Sequence, residues 1–343
     1  MVDSKNRLLV SQSFGRESEY KRVSLTLLSF YAQMGHTDIR SILFTDRPDW
    51  FAQILHGLPV EFVLLTPEKI KQMRGSIDFL HRMKIAMIEE VFHRYQEANL
   101  LYVDSDTFFI RNPTPLFTAM EGGQCFMHLR EFEFEEVRHA GGDTGAKFSA
   151  YLRLMEQKPF FTSKGAEQFT ARNASWNAGV MGLPNFIKSD IPDVYAITEQ
   201  SFPETDNHAS EQFAFSFVLQ SRYPLNACDE YVYHYWYVTK KKIVDLFTHK
   251  KVNKLFMQAP LEQRLLTVKK WTEQLPKYFN RHILHYKDKS MLALDEDKVL
   301  AGYKWATRAM LKGGIFDVQF LRDIMYHNKR FLKKVSKKAI GIK

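Results

Sequence analysis

The run Leu100-Leu101-Tyr102-Val103-Asp104-Ser105-Asp106-Thr107 constrains this chain more than any other stretch. Four apolar residues read as a buried strand, and two carboxylates follow at positions i and i+2. In an extended segment such side chains point the same way. In open α/β sheets the carboxyl ends of strands are where ligands collect, because the loops leaving them form the crevice. Hard oxygen ligands at a strand end suit Mg²⁺ or Mn²⁺, which leave coordination positions for diphosphate oxygens. Such an ion stabilises a phosphate leaving group.

The flanking pattern supports a strand in that setting. Arg7 to Val10, Ile42 to Thr45 and Val60 to Leu65 carry further strand signals. Helix-compatible stretches follow them, with Val23, Leu27, Phe30, Tyr31 and Met34 at helical spacing in the first. Met83, Met87, Val91 and Tyr95 mark a helix from about His81 to Tyr95, just ahead of the key strand. Alternating elements of this kind predict an α/β fold over a parallel sheet. Further along, Ala178 to Leu183 and Tyr231 to Trp236 read as strands and Ser210 to Gln220 as a helix. After Lys240 lysines cluster, and helical patterns appear over Leu261 to Gln274 and from Phe316 onward. The expected organisation is a domain over residues 1–240 and a helical extension over residues 241–343.

With 343 residues, 45% apolar and 14% aromatic, the chain can bury one large core, or a main domain with a smaller appendage. Its 28 Phe are spread along the whole length, with no repeat period. No apolar stretch approaches the roughly 20 residues needed to span a bilayer. The first residues lack a signal-peptide pattern, so a cytoplasmic protein is expected. Cys125 and Cys228 are too far apart for a zinc ribbon or a disulfide framework and read as buried thiols. The net charge of +9 points to an anionic partner. Much of the surplus falls at the end, where Lys329, Arg330, Lys333, Lys334, Lys337, Lys338 and Lys343 follow one another with no acid between. No nucleic-acid-binding motif accompanies that charge, so nucleic acid is not an expected partner.

Further short motifs follow in a fixed order. Arg82-Met83-Lys84-Ile85 precedes the key strand. Trp176-Asn177-Ala178-Gly179-Val180-Met181-Gly182, Glu211-Gln212 and Tyr233-His234-Tyr235-Trp236 with Lys240 come after it. In this order the chain resembles the GT-A glycosyltransferases, especially the glycogenin and bacterial lipooligosaccharide galactosyltransferase type, from roughly Arg7 to Lys240. The resemblance implies a Rossmann-like, nucleotide-sugar-binding sheet with a basic helical C-terminal extension, and a metal-dependent hexosyltransferase. Asp104, Asp106 and His234 would hold Mn²⁺ or Mg²⁺. Lys84, with Arg82, Asp104 and Lys240, would contact the donor, and Asn177, Glu211 and Gln212 would stand at the reacting centre. It further implies a UDP-sugar donor, a glycan or lipid-linked acceptor and retention of anomeric configuration. The chain departs from the family in Glu211, where the family has Asp, and in Tyr237 and Lys241-Lys242, where it has Gly and Pro-Trp. His285, after the apolar pair Ile283-Leu284, competes with His234 for the metal.

Two other functions compete. A non-catalytic nucleotide-sugar-binding protein would keep the same fold. A haloacid-dehalogenase-type phosphohydrolase also places two Asp after an apolar strand, but near the N-terminus and with Thr or Val where Phe108 stands here. Gly141-Gly142-Asp143-Thr144-Gly145 lacks a P-loop Lys and reads as a flexible loop. Arg130 to Glu136 alternates charged and Phe residues, as an exposed strand or a lid on the acceptor side would. Phe316, Phe320, Ile324, Phe331 and Val335 share one helical face, and basic residues flank it. The expectation there is a basic amphipathic helix that holds the protein on an anionic membrane, peripheral to its inner face.

Overall fold

A computed structural model describes residues 6–35, 37 and 39–339, without the side chains of residues 144, 334, 335 and 337–339. Seven strands build the main sheet: β1 (Arg7–Ser13), β2 (Arg40–Thr45), β3 (Val60–Leu64), β4 (Asn99–Val103), β6 (Cys125–Met127), β11 (Val180–Leu183) and β12 (Leu225–Ala227). Their spatial order is β12-β6-β11-β4-β1-β2-β3. Every residue of β4 is buried, as its unbroken apolar run requires of a central strand covered on both faces. The smaller strands pair in twos: β5 (Thr107–Phe109) with β13 (Val232–His234), β7 (Arg130–Glu133) with β10 (Ala174–Trp176), and β8 (Phe160–Thr162) with β9 (Gly165–Glu167).

The sheet is mixed, not parallel throughout. β1, β2, β3 and β4 run parallel, while β11 is antiparallel to both β4 and β6. That reversal has a local consequence. The residues entering β11, Asn177-Ala178-Gly179, arrive where β4 ends, and the Asp104 amide donates to the Gly179 carbonyl at 2.8 Å.

Many of the 28 Phe have a packing role. Helix Ser210–Arg222 buries Phe213, Phe215 and Phe217. Phe134 and Tyr151 meet Phe213 at centroid distances of 4.8 and 4.7 Å, and Phe169 stacks on Phe217 at 4.5 Å. Each such fully buried ring contributes roughly 1.5–3 kcal/mol relative to exposure. Gly141 to Gly145 is not a flexible loop: a helix, Gly142–Gln157, starts within it. A Cβ on Gly145 would fall 2.2 Å from the Ala140 carbonyl oxygen, so the glycine there answers to close backbone packing. Cys125 and Cys228 are buried thiols.

The chain divides into two compact units. The first holds residues 1–234 and 252–269, the second residues 235–251 and 270–343. All strands belong to the first unit; among the described residues the second is helical. Helix Leu261–Arg281 runs from one into the other. The second unit has a small core of Ala306, Ala309, Phe320 and Ile324, joined by Ile283, Tyr286, Met291 and Met310. Phe320 and Ile324 are therefore 3% and 6% exposed, and that part of the apolar stripe packs inward instead of facing a membrane. Phe316 and Phe331 are exposed. The side chains of Lys334, Val335, Lys337 and Lys338, and all of Lys343, lie outside the described residues. No helix among the described residues is long and apolar enough to cross a membrane.

Candidate metal centre

The end of β4 is held in place by hydroxyl groups. Asp104-Ser105-Asp106 forms a tight turn into β5, not the extended segment its spacing suggested. Thr107 Oγ1 donates to the Asp104 carbonyl at 2.9 Å. On helix Glu17–Met34, Thr26 Oγ1 reaches the Thr107 and Ser105 carbonyls at 2.8 and 3.1 Å. Ser105 Oγ donates to Glu19 on the same helix at 2.9 Å. Four amino-acid positions thus fix the turn before any ligand arrives.

β13 pairs antiparallel with β5, placing His234 opposite Thr107. Asp104, Asp106 and His234 each offer one ligand atom, and the three atoms lie within 4.8 Å of one another. His234 Nε2 faces Asp106 Oδ1 at 3.3 Å. Asp106 is 5% exposed, so it stands within the protein and not on an open strand end.

Asn177 sets the tautomer of the histidine. Its Oδ1 accepts from the Gly179 amide at 3.0 Å and its Nδ2 donates to Glu131 Oε1 at 2.9 Å, so the amide can be oriented only one way. His234 Nδ1 lies 2.8 Å from that same Oδ1 and must carry the hydrogen. With Nδ1 given to Asn177, the ring turns its Nε2 toward the Asp106 carboxylate. Cis ligands on an octahedral ion with bonds of about 2.1 Å are roughly 3 Å apart, and the 3.3 Å between His234 Nε2 and Asp106 Oδ1 is close to that separation. A hydrogen-bonded second ring nitrogen is also the usual support of a ligating histidine.

Gly179 provides the room. A Cβ at this position would lie 2.0 Å from His234 Cε1 and 2.4 Å from Nδ1. The Asn-x-Gly spacing therefore does two jobs for one ring: the amide orients it and the missing side chain admits it.

Lys84 is the cation of the site. It lies on helix Arg82–Arg94, buried among Met83, Ile85 and Met87. Its Nζ is 3.1 Å from Glu211 Oε1, 3.4 Å from Asp104 Oδ2 and 3.1 Å from the Ala178 carbonyl. Burial pulls the ammonium down, but Asp104 and Glu211 outweigh it and hold Lys84 above the usual lysine value. Tyr102 donates to Asp104 Oδ1 at 2.8 Å; burial first, then the Asp104 charge, pushes its hydroxyl well above the usual tyrosine range.

Glu131 had no assigned role in the sequence, and it joins the site through β7. Its carboxylate accepts from Asn177 Nδ2 and, at Oε2, from Gln212 Nε2 at 2.8 Å. Gln212 also donates to Ser175 Oγ at 3.0 Å and accepts from the Ala178 amide at 3.2 Å. The pairing of β7 with β10 brings Glu131 here, and a strand of alternating charge and Phe gives no hint of that partner.

Three further candidates have partners of their own. Arg82, two residues from Lys84 and so on another helix face, donates to Glu199 at 2.7 Å and to the Met73 carbonyl at 2.8 Å, and lies over the Tyr195 ring. Lys240 belongs to the second unit, where its ammonium lies over the rings of Tyr237 and Phe279 at 5.5 and 6.0 Å. His285 is also in the second unit, beside Trp305. The histidine that meets the two aspartates is His234.

No protein-family model matches the chain, and no curated protein matches it. Several solved structures are similar. The galactosyltransferase LgtC, in complex with donor and acceptor sugar analogues, is 14% identical over 61% of this chain and 70% of its own, with a TM-score of 0.40. Mouse xyloside xylosyltransferase 1, in its apo form, is 11% identical over 65% of this chain and 84% of its own, with a TM-score of 0.42. The glycosyltransferase GlyE of Streptococcus pneumoniae is 15% identical over 75% of this chain and 52% of its own, with a TM-score of 0.40.

Proposed function

We propose that the first unit is a metal-dependent glycosyltransferase of the GT-A type, which binds a UDP-sugar and passes the sugar to a glycan or lipid-linked acceptor with retention of configuration. The observation that carries this reading is the pre-set His234: one nitrogen committed to Asn177, the other directed at Asp106, with Asp104 alongside. When bound there, Mn²⁺ or Mg²⁺ would neutralise charge on a departing diphosphate.

The protein's own groups do the rest. Lys84 keeps a fixed positive charge at the strand end, and fixed charges are most effective where negative charge develops in the transition state. Glu211 and Asp104 hold that ammonium from two sides. With its carboxylate engaged by Lys84, Glu211 is poorly placed to take a proton from an acceptor, which favours retention over a base-assisted inversion. Gln212 stays fixed by Glu131, Ser175 and the Ala178 amide. The basic second unit gives a lipid-linked acceptor a reason to be near, since an anionic surface attracts it.

A panel of nucleotide-sugars screened by thermal shift with and without Mn²⁺ tests the donor. The expected outcome is Mn²⁺-dependent stabilisation by UDP and by one UDP-sugar. No metal-dependent nucleotide binding would sink the proposal. Binding without hydrolysis or transfer of any donor would leave a nucleotide-sugar-binding protein of the same fold. Proton NMR of the product anomer decides retention.

A further inference from the structure

Charge and exposed apolar surface come together in one place. The second unit holds 22 of the 48 Lys and Arg but only eight of the 39 Asp and Glu, a formal +14, which leaves −5 on the first. Within it, helices Val299–Met310 and Val318–Ala339 are joined by a short turn. At that turn Leu311 is 83% exposed and Phe316 87%, and Ile315 and Val318 are also well exposed. Gly313 has φ +93°, and a Cβ on Gly314 would fall 2.7 Å from the Ala309 carbonyl oxygen, so the Gly-Gly pair lets the turn close tightly beneath these side chains. Lys304, Arg308, Lys312 and Arg322 are exposed within about two helical turns on either side. The acid in the turn, Asp317, is already used: its carboxylate accepts from the Phe320 amide at 3.0 Å and pairs with Lys287.

We propose that this turn is a lipid-contacting tip, in which Leu311, Ile315, Phe316 and Val318 enter the headgroup and acyl boundary of an anionic bilayer while the four basic residues hold its surface charge. Four exposed apolar side chains at one turn suit a fluid apolar boundary, which needs no shaped complement. The basic collar and the +14 of the unit select an anionic surface. The inference shares the anionic lipid partner with the functional reading above, but it moves the contact from the C-terminal tail to the tip and does not need transfer activity.

The test uses the full chain and vesicles of phosphatidylcholine with or without 30% phosphatidylglycerol. Because Cys125 and Cys228 are buried, F316C can be labelled with an environment-sensitive dye. The expected result is a blue shift on adding the anionic vesicles. A companion variant, L311S/F316S, should lose about 100-fold or more in partitioning, since each of the two apolar side chains withdrawn from water is worth about a factor of ten or more. It should keep its far-UV spectrum and its Mn²⁺-dependent nucleotide binding, so that failure of the tip and failure of the metal site are read separately. Truncation before Lys329 should reduce binding less than the tip variant does. No dye shift, or unchanged partitioning of L311S/F316S, overturns the proposal. So does a dye shift that depends on protein concentration without vesicles, which would assign the tip to a second copy of the chain.

Discussion

The two units solve opposite problems. The first carries −5 and buries polar side chains: Lys84, Asp106, Glu211 and His234 are all 6% exposed or less. The second carries +14, keeps a small core and leaves large apolar side chains in water at the turn after Met310. Buried charge is costly unless every group is satisfied, so the first unit is built where geometry must be fixed. Exposed apolar groups beside positive charge cost little fixed geometry and suit a surface contact. On the proposed reading, chemistry and placement fall to different stretches of one chain.

The sharpest way to break that division is to remove a metal ligand. Asp106→Ala should lower transfer by roughly 10²–10³-fold or more, as the loss of a centre that stabilises developing charge does. Isothermal titration with Mn²⁺ and UDP should show no metal-dependent affinity, while vesicle partitioning stays as in the unmodified chain. Unchanged metal-dependent affinity would end the assignment of this aspartate, and a parallel loss of vesicle binding would end the division of labour.

Gly179→Ala comes next. The added methyl cannot share space with the His234 ring, and forcing extra volume into a packed site costs about 1–3 kcal/mol. The ring must turn away from Asn177, so Mn²⁺ affinity should fall along with the melting temperature. A variant that melts lower but binds Mn²⁺ normally would show that the glycine serves the fold alone.

Glu131 tests the layer behind the ligand. Glu131→Ala leaves the amides of Asn177 and Gln212 without their shared acceptor, and losses of this kind typically cost 10–100-fold in metal affinity. Glu131→Gln keeps one acceptor oxygen and should fall between the two. Equal Mn²⁺ affinity in all three proteins would confine Glu131 to a structural role.

The apolar strand with its two aspartates is a local pattern, and the resemblance carried by the order of the other motifs added His234 to them as a ligand and Asn177 at the reacting centre; the structure brings the four side chains together. What decides the geometry is not local. The antiparallel entry of β11 delivers Asn177 and Gly179 to the end of β4, and nothing in Val180 to Leu183 states the direction of pairing. Glu131 depends on the pairing of β7 with β10, about forty residues further on. Helical spacing likewise revealed that Phe320 and Ile324 share a face without revealing what covers it; the covering residues, Ala306 and Ala309, lie on another helix. The exposed tip was invisible for the converse reason, since Leu311 and Phe316 look like core residues until the turn is built.

The smallest expected effect concerns acid sensitivity in the second unit. His282 caps helix Ile283–Asp295, its Nδ1 accepting from the Leu284 amide at 3.2 Å. Burial first, then the Lys312 charge, lowers its pKa below the ordinary histidine value. The folded form thus favours neutral imidazole, while the unfolded chain takes up a proton as pH falls through about 6.5. Between the folded and unfolded values the unfolded state binds more protons, so stability is full above about pH 6.5 and declines toward acid. The slope for one group cannot exceed about 1.4 kcal/mol per pH unit, and partial exposure of the ring makes it smaller. His282→Asn keeps a good capping side chain and removes the titration. Thermal melts at pH 7.5 and pH 5.5 should therefore differ less in the variant than in the unmodified chain. If the two proteins lose the same stability between those pH values, the acid sensitivity lies in other groups and the cap does not contribute to it.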